Sequence, residues 1–317
     1  MANEFAIIEQ YFSAIGKPAV DTVLGIGDDA AVVDIPRDQQ LVVSMDTLIS
    51  GTHFPPDTSP ADIAYKSLAV NLSDLAAMGA SPAWFLLSLT LEDNDSRWLT
   101  QFANGLKQAA DQFDLQLIGG DTCKGKLAIS IQVAGYVPRD RFVTRAGAAV
   151  GDIVLVTGEL GNAALGLAQS RGEVDLPQTL RAKCALALNR PQPRLELAPF
   201  LREYASSAID LSDGLVGDLR HILDASGCGA RVARQALPIN ARIEQQGCYD
   251  YALEGGDDYQ ICCTVAASRR AEIERWNREH PNCRLTPIGE ITDSGYSLRD
   301  GDQLVDLAQR QGYRHFD

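Results

Sequence analysis

Aspartates recur along the chain in short polar turns, most of them beside glycine, and several follow an apolar run typical of a buried strand. Carboxylate oxygens suit hard cations such as Mg²⁺ rather than zinc, and several in one cleft could hold more than one ion. Because Mg²⁺ usually binds together with phosphates, the pattern indicates a phosphate-handling site. The six turns are Gly27-Asp28-Asp29, Ser44-Met45-Asp46-Thr47, Asn71-Leu72-Ser73-Asp74, Gly119-Gly120-Asp121-Thr122, Asp210-Leu211-Ser212-Asp213-Gly214 and Gly255-Gly256-Asp257-Asp258.

Each turn by itself also has a simpler interpretation. In Gly119-Gly120-Asp121-Thr122 the two glycines would let phosphate oxygens approach backbone N–H groups at a strand end, but a tight β-turn explains them equally well. Gly27-Asp28-Asp29 alone is more typical of a surface turn. The P-loop pattern G-x-x-x-x-G-K-[ST] does not occur in the chain, so the site is not of that type.

Two aspartate motifs favour a function more strongly. Asp74 falls on a predicted helix rich in leucine and alanine, and a buried carboxylate is costly unless it is paired or bound to a metal. The Asp210–Gly214 turn precedes another helix, and its two aspartates and serine exceed what one helix cap needs.

The positive charges and nucleophiles give a weaker signal. Arg139, Arg141 and Arg145 cluster in a chain with little positive charge; one of them could clamp a phosphate, although such a cluster is more often a solvated face. His53 alone indicates nothing. No Ser-His-Asp or Cys-His arrangement points to a covalent nucleophile.

Mixed strand and helix patterns must position these residues, which predicts an α/β (α+β) fold. A helix starting at Ser59-Pro60 and stopping at Gly79 carries Ser67, Asn71 and Asp74 on one face. A change in composition at 146–152 divides the chain into predicted domains 1–148 and 149–317. Strands are predicted at 41–43, 84–90, 115–118, 127–137, 153–157 and 259–265, further helices at 98–109, 215–226 and 268–280, and a hairpin turn at Asp300-Gly301.

Composition excludes several classes of protein. The net charge of −14 over 317 residues argues against a nucleic-acid-binding surface, which needs basic patches. No apolar run approaches the roughly 18 residues of a membrane span, and the first residues lack the features of a signal peptide. Seven cysteines without a C-x-x-C pair fit a reducing compartment. We therefore expect a cytoplasmic protein with neither a nucleic-acid nor a membrane partner.

Taken together, the motifs resemble those of the thiamine-monophosphate kinase family, in order along nearly the whole chain. The matching stretches are 24–31, Asp46-Thr47-Leu48, 51–54, the specific string Asn71 to Ala80, 118–122, 207–215 and 255–259. The resemblance implies a two-domain PurM-like fold of the aminoimidazole-ribonucleotide-synthetase-like superfamily. It also implies a homodimer in which the N-terminal domains pair into a barrel and the C-terminal α/β domain completes the site.

The resemblance further implies ATP-dependent phosphorylation of thiamine monophosphate, with several Mg²⁺ ions and no catalytic side chain beyond positioning and metal catalysis. Asp257 stands where the family commonly has glutamate, and Met45 where threonine is common, so only the backbone carbonyl of Met45 could serve a metal. Residues implied for Mg²⁺ are Asp29, Ser44, Met45, Asp46, Asp74, Asp121, Asp210 and Asp213. Residues implied for ATP are Gly120, Asp121, Arg145 and Ser212, and those for thiamine phosphate are His53, Asp257 and Tyr313.

Two alternatives stay open. The chain could be another ATP-using enzyme of the same superfamily, such as aminoimidazole ribonucleotide synthetase or selenophosphate synthetase. The second of these is disfavoured because no reactive-looking cysteine or lysine precedes the first glycine-aspartate motif. The chain could also be a non-catalytic module that binds divalent metal or nucleotide.

Overall fold

The computed structural model describes residues 4–315, with the side chains of Phe5 and Gln246 excepted. The chain divides into two compact units, the first formed by residues 4–75 and 80–141 and the second by residues 76–79 and 142–315. Residues 142–148 therefore belong to the second unit, whereas the change in composition predicts a domain boundary after residue 148. The ends of the two predicted domains, 1–3 and 316–317, lie outside the described residues.

The first unit contains a four-stranded sheet and two long helices. Its sheet has the order β3-β6-β4-β5, antiparallel except for the parallel pair β4–β5, and β1 and β2 form a separate two-stranded ribbon. The elements are α1 (Glu4–Ile7), a π-helical turn (Ile8–Phe12), β1 (Thr22–Leu24), β2 (Val32–Val33), β3 (Gln39–Ile49), α2 (Pro60–Ala77), β4 (Ser81–Leu91), α3 (Ser96–Phe113), β5 (Gln116–Lys124) and β6 (Ala128–Pro138).

Helix α2 is the central element of the first unit. Pro60 starts it with a preset φ angle, and the Ser59 hydroxyl accepts a hydrogen bond from the Asp62 N–H at 3.2 Å. Gly79, with φ of 70°, ends the predicted span. Most of the helix is buried on all sides, as expected of a helix enclosed in a core. The predicted helix is confirmed, and its polar residues Asn71 and Asp74 are thereby held inside the unit.

Two of the predicted aspartate turns are wrong as turns. Ser44–Thr47 lies within β3, and Gly119–Thr122 lies within β5, which extends to Lys124 instead of ending at Ile118. Asn71–Asp74 lies within α2, as the helix pattern predicted. Polar and glycine residues inside a strand look like a turn in sequence, but pairing with neighbouring strands continues through them.

The second unit is built on a seven-stranded sheet with the order β13-β12-β9-β11-β7-β10-β8, in which only β9 and β12 pair in parallel. Its strands are β7 (Ile153–Thr157), β8 (Ala205–Asp210), β9 (Gly229–Ala233), β10 (Ile261–Val265), β11 (Leu285–Thr292), β12 (Tyr296–Asp300) and β13 (Gln303–Asp306). Its helices are α4 (Asn162–Ser170), α5 (Gln178–Asn189), α6 (Ala198–Tyr204), α7 (Leu215–Ser226), α8 (Ala241–Gln246), α9 (Asp250–Leu253) and α10 (Arg270–Glu279), with short 3₁₀ turns at Leu195–Leu197, Arg234–Ala236 and Ala267–Arg269.

Both faces of this sheet are covered. Val154 and Val156 pack with residues of α7 in one core cluster, whereas Ile153 and Leu155 pack with residues of α6 and α10 in another. Every residue of β7 and β10 is buried, which explains why both strands are apolar in sequence except for Thr157 and Thr264, whose hydroxyls are hydrogen-bonded. The predicted helix 215–226, the hairpin turn at Asp300-Gly301 and the mixed α/β character are confirmed.

All seven cysteines are free thiols, and four of them, Cys184, Cys262, Cys263 and Cys283, are buried.

A buried carboxylate anchors the start of α4. Asp258 accepts a hydrogen bond from the Gly161 N–H at 2.7 Å and another from the Ala163 N–H. The start of a helix has unpaired N–H groups, and an aspartate distant in sequence here satisfies two of them. Burial nevertheless raises the pKa of Asp258 to about 8, because the charged form is kept from water.

This burial predicts a pH dependence of stability. From the ordinary pKa of 3.8 up to about 8, the folded protein holds a proton on Asp258 that the unfolded chain has lost. The contribution to stability is thus present in full below pH 3.8 and is lost as pH rises through about 8. Asp258→Asn resembles the neutral form and cannot ionise. As pH rises through this range, the unfolding free energy of the variant should therefore increase relative to that of wild type, by up to about 1.4 kcal/mol per pH unit.

Urea unfolding of both proteins across this pH range measures the difference. Asp175→Asn, which removes a carboxylate with 93% of its side chain exposed, is the matched control. Parallel pH profiles for Asp258→Asn and wild type would contradict the prediction.

Candidate active site

In the first unit, β3 and α2 bring the predicted metal residues together. The Ser44 hydroxyl donates to the Asp74 carboxylate at 2.5 Å, and the Asp46 N–H donates to the Asn71 side-chain oxygen at 2.9 Å. Alternation along β3 directs Ser44 and Asp46 to the face covered by α2, and the spacing of Asn71 and Asp74 puts both on the side of the helix that meets them. Asn71 and Asp74, predicted to share one face of the helix, therefore contact Asp46 and Ser44 directly.

Met45 projects from the opposite face of β3. Its side chain is 59% exposed, so only its main-chain atoms lie near the side chains of Ser44 and Asp46. His53 follows the end of β3, where its ring nitrogen Nδ1 accepts the Ile49 N–H at 3.0 Å and its carbonyl accepts a hydrogen bond from Lys66. The fold thus holds the His53 ring in a fixed orientation.

A cavity of about 1250 Å³ within the first unit joins two of the aspartate motifs. One side is formed by the loop that carries Asp28 and Asp29, and another by β5 at Gly120 and Asp121. Asp28 accepts the N–H of Asp29 at 2.8 Å, a contact that shapes the loop. Trp84, Leu86, Ile118 and Phe12 contribute apolar surface to the lining. The cavity therefore combines carboxylates with apolar side chains.

The glycine at position 120 is required by strand packing. Its φ angle is 151°, and a Cβ there would lie 1.8 Å from the Leu87 carbonyl oxygen of the neighbouring strand β4. The close approach of the strands accounts for this glycine without a phosphate.

In the second unit, backbone hydrogen bonds connect the other two motifs with Tyr313. The Asp257 N–H donates to the Ser212 carbonyl at 2.9 Å, and the Tyr313 N–H donates to the Asp213 carbonyl at 2.9 Å. Asp257 has a φ angle of 69°, a left-handed conformation that is uncommon for a residue with a side chain. Ser212, Asp213, Asp257 and Tyr313, which are far apart in sequence, are thus adjacent in space.

Asp218 supports this arrangement from within α7. Its carboxylate is buried and accepts the N–H groups of Asp213 and Gly214 at 3.0 and 3.1 Å. Burial raises the pKa of Asp218 to about 7, with a further rise from the charge of Asp213, while the backbone donors and Arg145 lower it. Sequence analysis missed Asp218; an acidic residue in the first turn of a helix that follows a polar loop was the available signal.

The electrostatic surroundings of Asp213 identify further residues. Burial raises the pKa of Asp213, and the charge of Asp257 adds to the rise, whereas His315, His221 and Arg145 lower it. The two histidines were not predicted. Of the three clustered arginines, Arg145 is the one in the second unit, while Arg139 and Arg141 belong to the first.

The donor set of these residues fits Mg²⁺. Within residues 4–315, neither unit holds a ready-made cluster of three or more metal-binding side chains. Mg²⁺ commonly binds through one or two carboxylates and completes its coordination with phosphate oxygens and water. Pairs such as Ser44 with Asp74 supply hard oxygen donors of this kind.

No helix of the described part of the chain is long and apolar enough to cross a membrane.

Both units match known family models. The model for AIR synthase related protein, N-terminal domain, matches residues 27–137, and the model for the C-terminal domain of the same family matches residues 149–301. These two matches, with the two sheets and their helices, show the two-domain PurM-like fold that the motifs implied.

Curated and solved relatives agree with this family. Thiamine-monophosphate kinase of Escherichia coli K12 is 43% identical over 99% of this chain and 98% of its own length. The crystal structure of the same kinase from Stenotrophomonas maltophilia K279a is 41% identical, with a TM-score of 0.82 over 92% of this chain and 94% of that one. A structure described as AaThiL complexed with AMPPCP and TMP is 31% identical, with a TM-score of 0.77 over 99% and 97% of the two chains. With both units matched over their length and at this level of identity, the chain belongs to the thiamine-monophosphate kinase family.

Proposed function

We propose that the protein transfers the γ-phosphoryl group of ATP to thiamine monophosphate, giving ADP and thiamine diphosphate, the last step of thiamine diphosphate biosynthesis. The main support is the match to a relative whose structure contains AMPPCP and TMP, which extends over 99% of this chain. The use of ATP and the seven free thiols favour a cytoplasmic location.

The aspartates of both units are proposed to hold Mg²⁺, which when bound would neutralise phosphate charge. In the first unit, the Ser44–Asp74 pair and Asp46 present oxygen donors from β3 and α2, and Asp29 and Asp121 present theirs into the cavity. In the second unit, burial makes the charged form of Asp213 costly, so a cation beside it would be favoured. The full set proposed for metal is Asp29, Ser44, the Met45 carbonyl, Asp46, Asp74, Asp121, Asp210 and Asp213.

The reaction needs no general base on the protein. A phosphate monoester has a second pKa of about 6, so the attacking oxygen is already largely ionised at neutral pH. The remaining obstacle is repulsion between two anionic phosphates, and in-line transfer then depends on positioning and charge neutralisation. Arg145, which lies close enough to Asp213 and Asp218 to influence both, would supply a fixed positive charge to ATP. Gly120, Asp121 and Ser212 would complete the contacts with ATP.

The thiamine end of the substrate is assigned to His53, Asp257 and Tyr313. The thiazolium ring is cationic, so the Asp257 carboxylate would attract it and the Tyr313 ring would pack on it. Tyr313 is 49% exposed and therefore accessible to a ligand. Aspartate is one methylene shorter than the glutamate common in the family, so Asp257 would approach the ring from the fixed backbone described above.

Purified protein with ATP and Mg²⁺ should form thiamine diphosphate from thiamine monophosphate, as measured by chromatography of the products. Asp74→Asn should lower kcat by at least about a hundredfold, the effect expected when a metal-holding carboxylate is removed. Asp62→Asn is the matched control, because Asp62 is a carboxylate on the same helix bonded to Ser59 at its start. ATP turnover without thiamine monophosphate, or a change in KM alone for Asp74→Asn, would oppose the proposal.

Asp257→Ala should raise KM for thiamine monophosphate more than KM for ATP, because it removes the carboxylate that faces the cationic ring. An increase of about tenfold is expected for the loss of one charged contact. Steady-state kinetics with each substrate varied in turn measure both constants. Equal increases in the two KM values would remove Asp257 from the thiamine end of the site.

The exposed face of the first unit's sheet supports the proposed homodimer and its barrel. The edge strand β3 alternates, so that one row of apolar side chains is exposed while the intervening residues face α2. Such an exposed edge strand is normally covered in a folded assembly. The exposed residues of the row are Leu41, Val43, Met45 and Ile49.

Val43→Lys should therefore convert the dimer into a monomer, since it would bury an unpaired charge in the interface. Sedimentation velocity measures the change in mass. Leu304→Lys, at an exposed apolar residue of β13 in the second unit, should leave the dimer intact. A dimer that withstands Val43→Lys would exclude this face as the interface.

A further inference from the structure

The C-terminal segment, residues 307–313, places Tyr313 beside the Asp210–Gly214 loop. Leu307 is fully buried and its N–H donates to the Tyr296 carbonyl at 2.9 Å. Beyond it Ala308, Gln309 and Tyr313 are exposed, so hydrophobic burial holds this part of the segment weakly. Polar contacts must therefore fix its path.

Arg220 of α7 supplies most of these contacts. Its guanidinium donates to three carbonyl oxygens of the segment: to Ala308 and Leu307 at 2.7 Å each and to Arg310 at 2.8 Å. The planar fork of an arginine can reach several carbonyls at once, which an amine on a flexible stem does less well. Arg220 is half-buried, with its guanidinium 5.7 Å from the centre of the Tyr296 ring.

A second arginine fastens the same segment to α9 and the residue after it. Arg310 donates to the Asp250 carboxylate at 2.7 Å and lies 3.1 Å from Glu254. The segment is thus held on both sides, by Arg220 to α7 and by its own Arg310 to the stretch that leads into the loop of Asp257.

The segment then passes so close to Asp213 that position 312 has no room for a side chain. A Cβ at Gly312 would lie 2.3 Å from the Asp213 carbonyl oxygen, and a Cβ at Gly217 would lie 3.2 Å from the Gly312 backbone. The next residue, Tyr313, donates its N–H to that same Asp213 carbonyl at 2.9 Å. A small displacement of the segment would therefore separate Tyr313 from Asp213.

We propose that Arg220 is a positioning residue that fixes Tyr313 at the thiamine-phosphate end of the site and so determines the affinity for that substrate. The inference rests on the proposed function. Arg220 touches the carbonyls that hold the segment and acts on the substrate only through Tyr313. Its loss should weaken binding of thiamine monophosphate and leave binding of ATP, assigned to other residues, nearly unchanged.

Steady-state kinetics of Arg220→Met test this directly. KM for thiamine monophosphate should rise about tenfold or more, as expected when charge-assisted hydrogen bonds are lost, with KM for ATP and kcat changed less than about twofold. Arg220→Lys should give an intermediate KM and serves as the second variant if Arg220→Met does not fold. Arg231→Met removes one exposed ion pair with Glu290 in the same unit and should leave both KM values at the wild-type level.

A double-mutant cycle tests the route through Tyr313. If Arg220 acts by placing Tyr313, the variant carrying both Arg220→Met and Tyr313→Ala should show the KM of Tyr313→Ala alone. Additive increases in KM, or an unchanged KM in both Arg220 variants of an active enzyme, would overturn the inference while leaving the proposed function standing.

Hydrogen exchange gives a readout that does not depend on activity. The Tyr313 amide should exchange faster in Arg220→Met than in Arg231→Met, because its bond to the Asp213 carbonyl would open more often. If wild type did not phosphorylate thiamine monophosphate, the proposed function would fail, and faster exchange would still support positioning by Arg220. Equal exchange in the two variants would overturn the positioning itself.

Discussion

The candidate site residues of the second unit depend on backbone hydrogen bonds to the loop from Asp210 to Gly214. Its carbonyls at Ser212 and Asp213 accept N–H groups from Asp257 and Tyr313, while its own N–H groups at Asp213 and Gly214 are held by the Asp218 carboxylate. Main-chain contacts of this kind hold these residues in place through the backbone. They also fix the spacing between the groups proposed for metal and for thiamine, because the backbone cannot adjust as a side chain can.

Buried carboxylates cost this arrangement folding free energy, but they would also strengthen the binding of a cation. Asp218 and Asp258 are only 3% and 8% exposed, and this burial raises their pKa values to about 7 and about 8. N–H groups at the starts of α7 and α4 offset part of that cost. Asp213 is partly buried, and a cation bound there as proposed would be held more strongly than at an exposed carboxylate. In the proposed reaction such cations would let a chain with a net charge of −14 bind anionic substrates.

The accuracy of sequence reasoning differed between elements for physical reasons. The helix containing Asn71 and Asp74 was predicted because a long apolar pattern with Pro60 before it and Gly79 after it has few alternatives. The strand containing Gly120 was predicted to end too early, because a glycine resembles a turn until the neighbouring strand is known to leave no room for a Cβ. His221 and His315 were missed because nothing local distinguishes them from surface residues, whereas Asp218 carried only the weak signal of an acidic residue in the first turn of a helix.

The sequence by itself determined the family, the mixed α/β character and the types of residue available for phosphate chemistry, since residue identity and periodicity are local properties. Only the tertiary structure decided which of those residues meet. It paired Ser44 with Asp74, placed Asp29 and Asp121 in one cavity, and brought Tyr313 to Asp213 through the contacts of Arg220. Such meetings depend on strand register and on contacts between residues that are 30 positions apart for Ser44 and Asp74 and 100 apart for Asp213 and Tyr313, which a pattern along one chain does not encode.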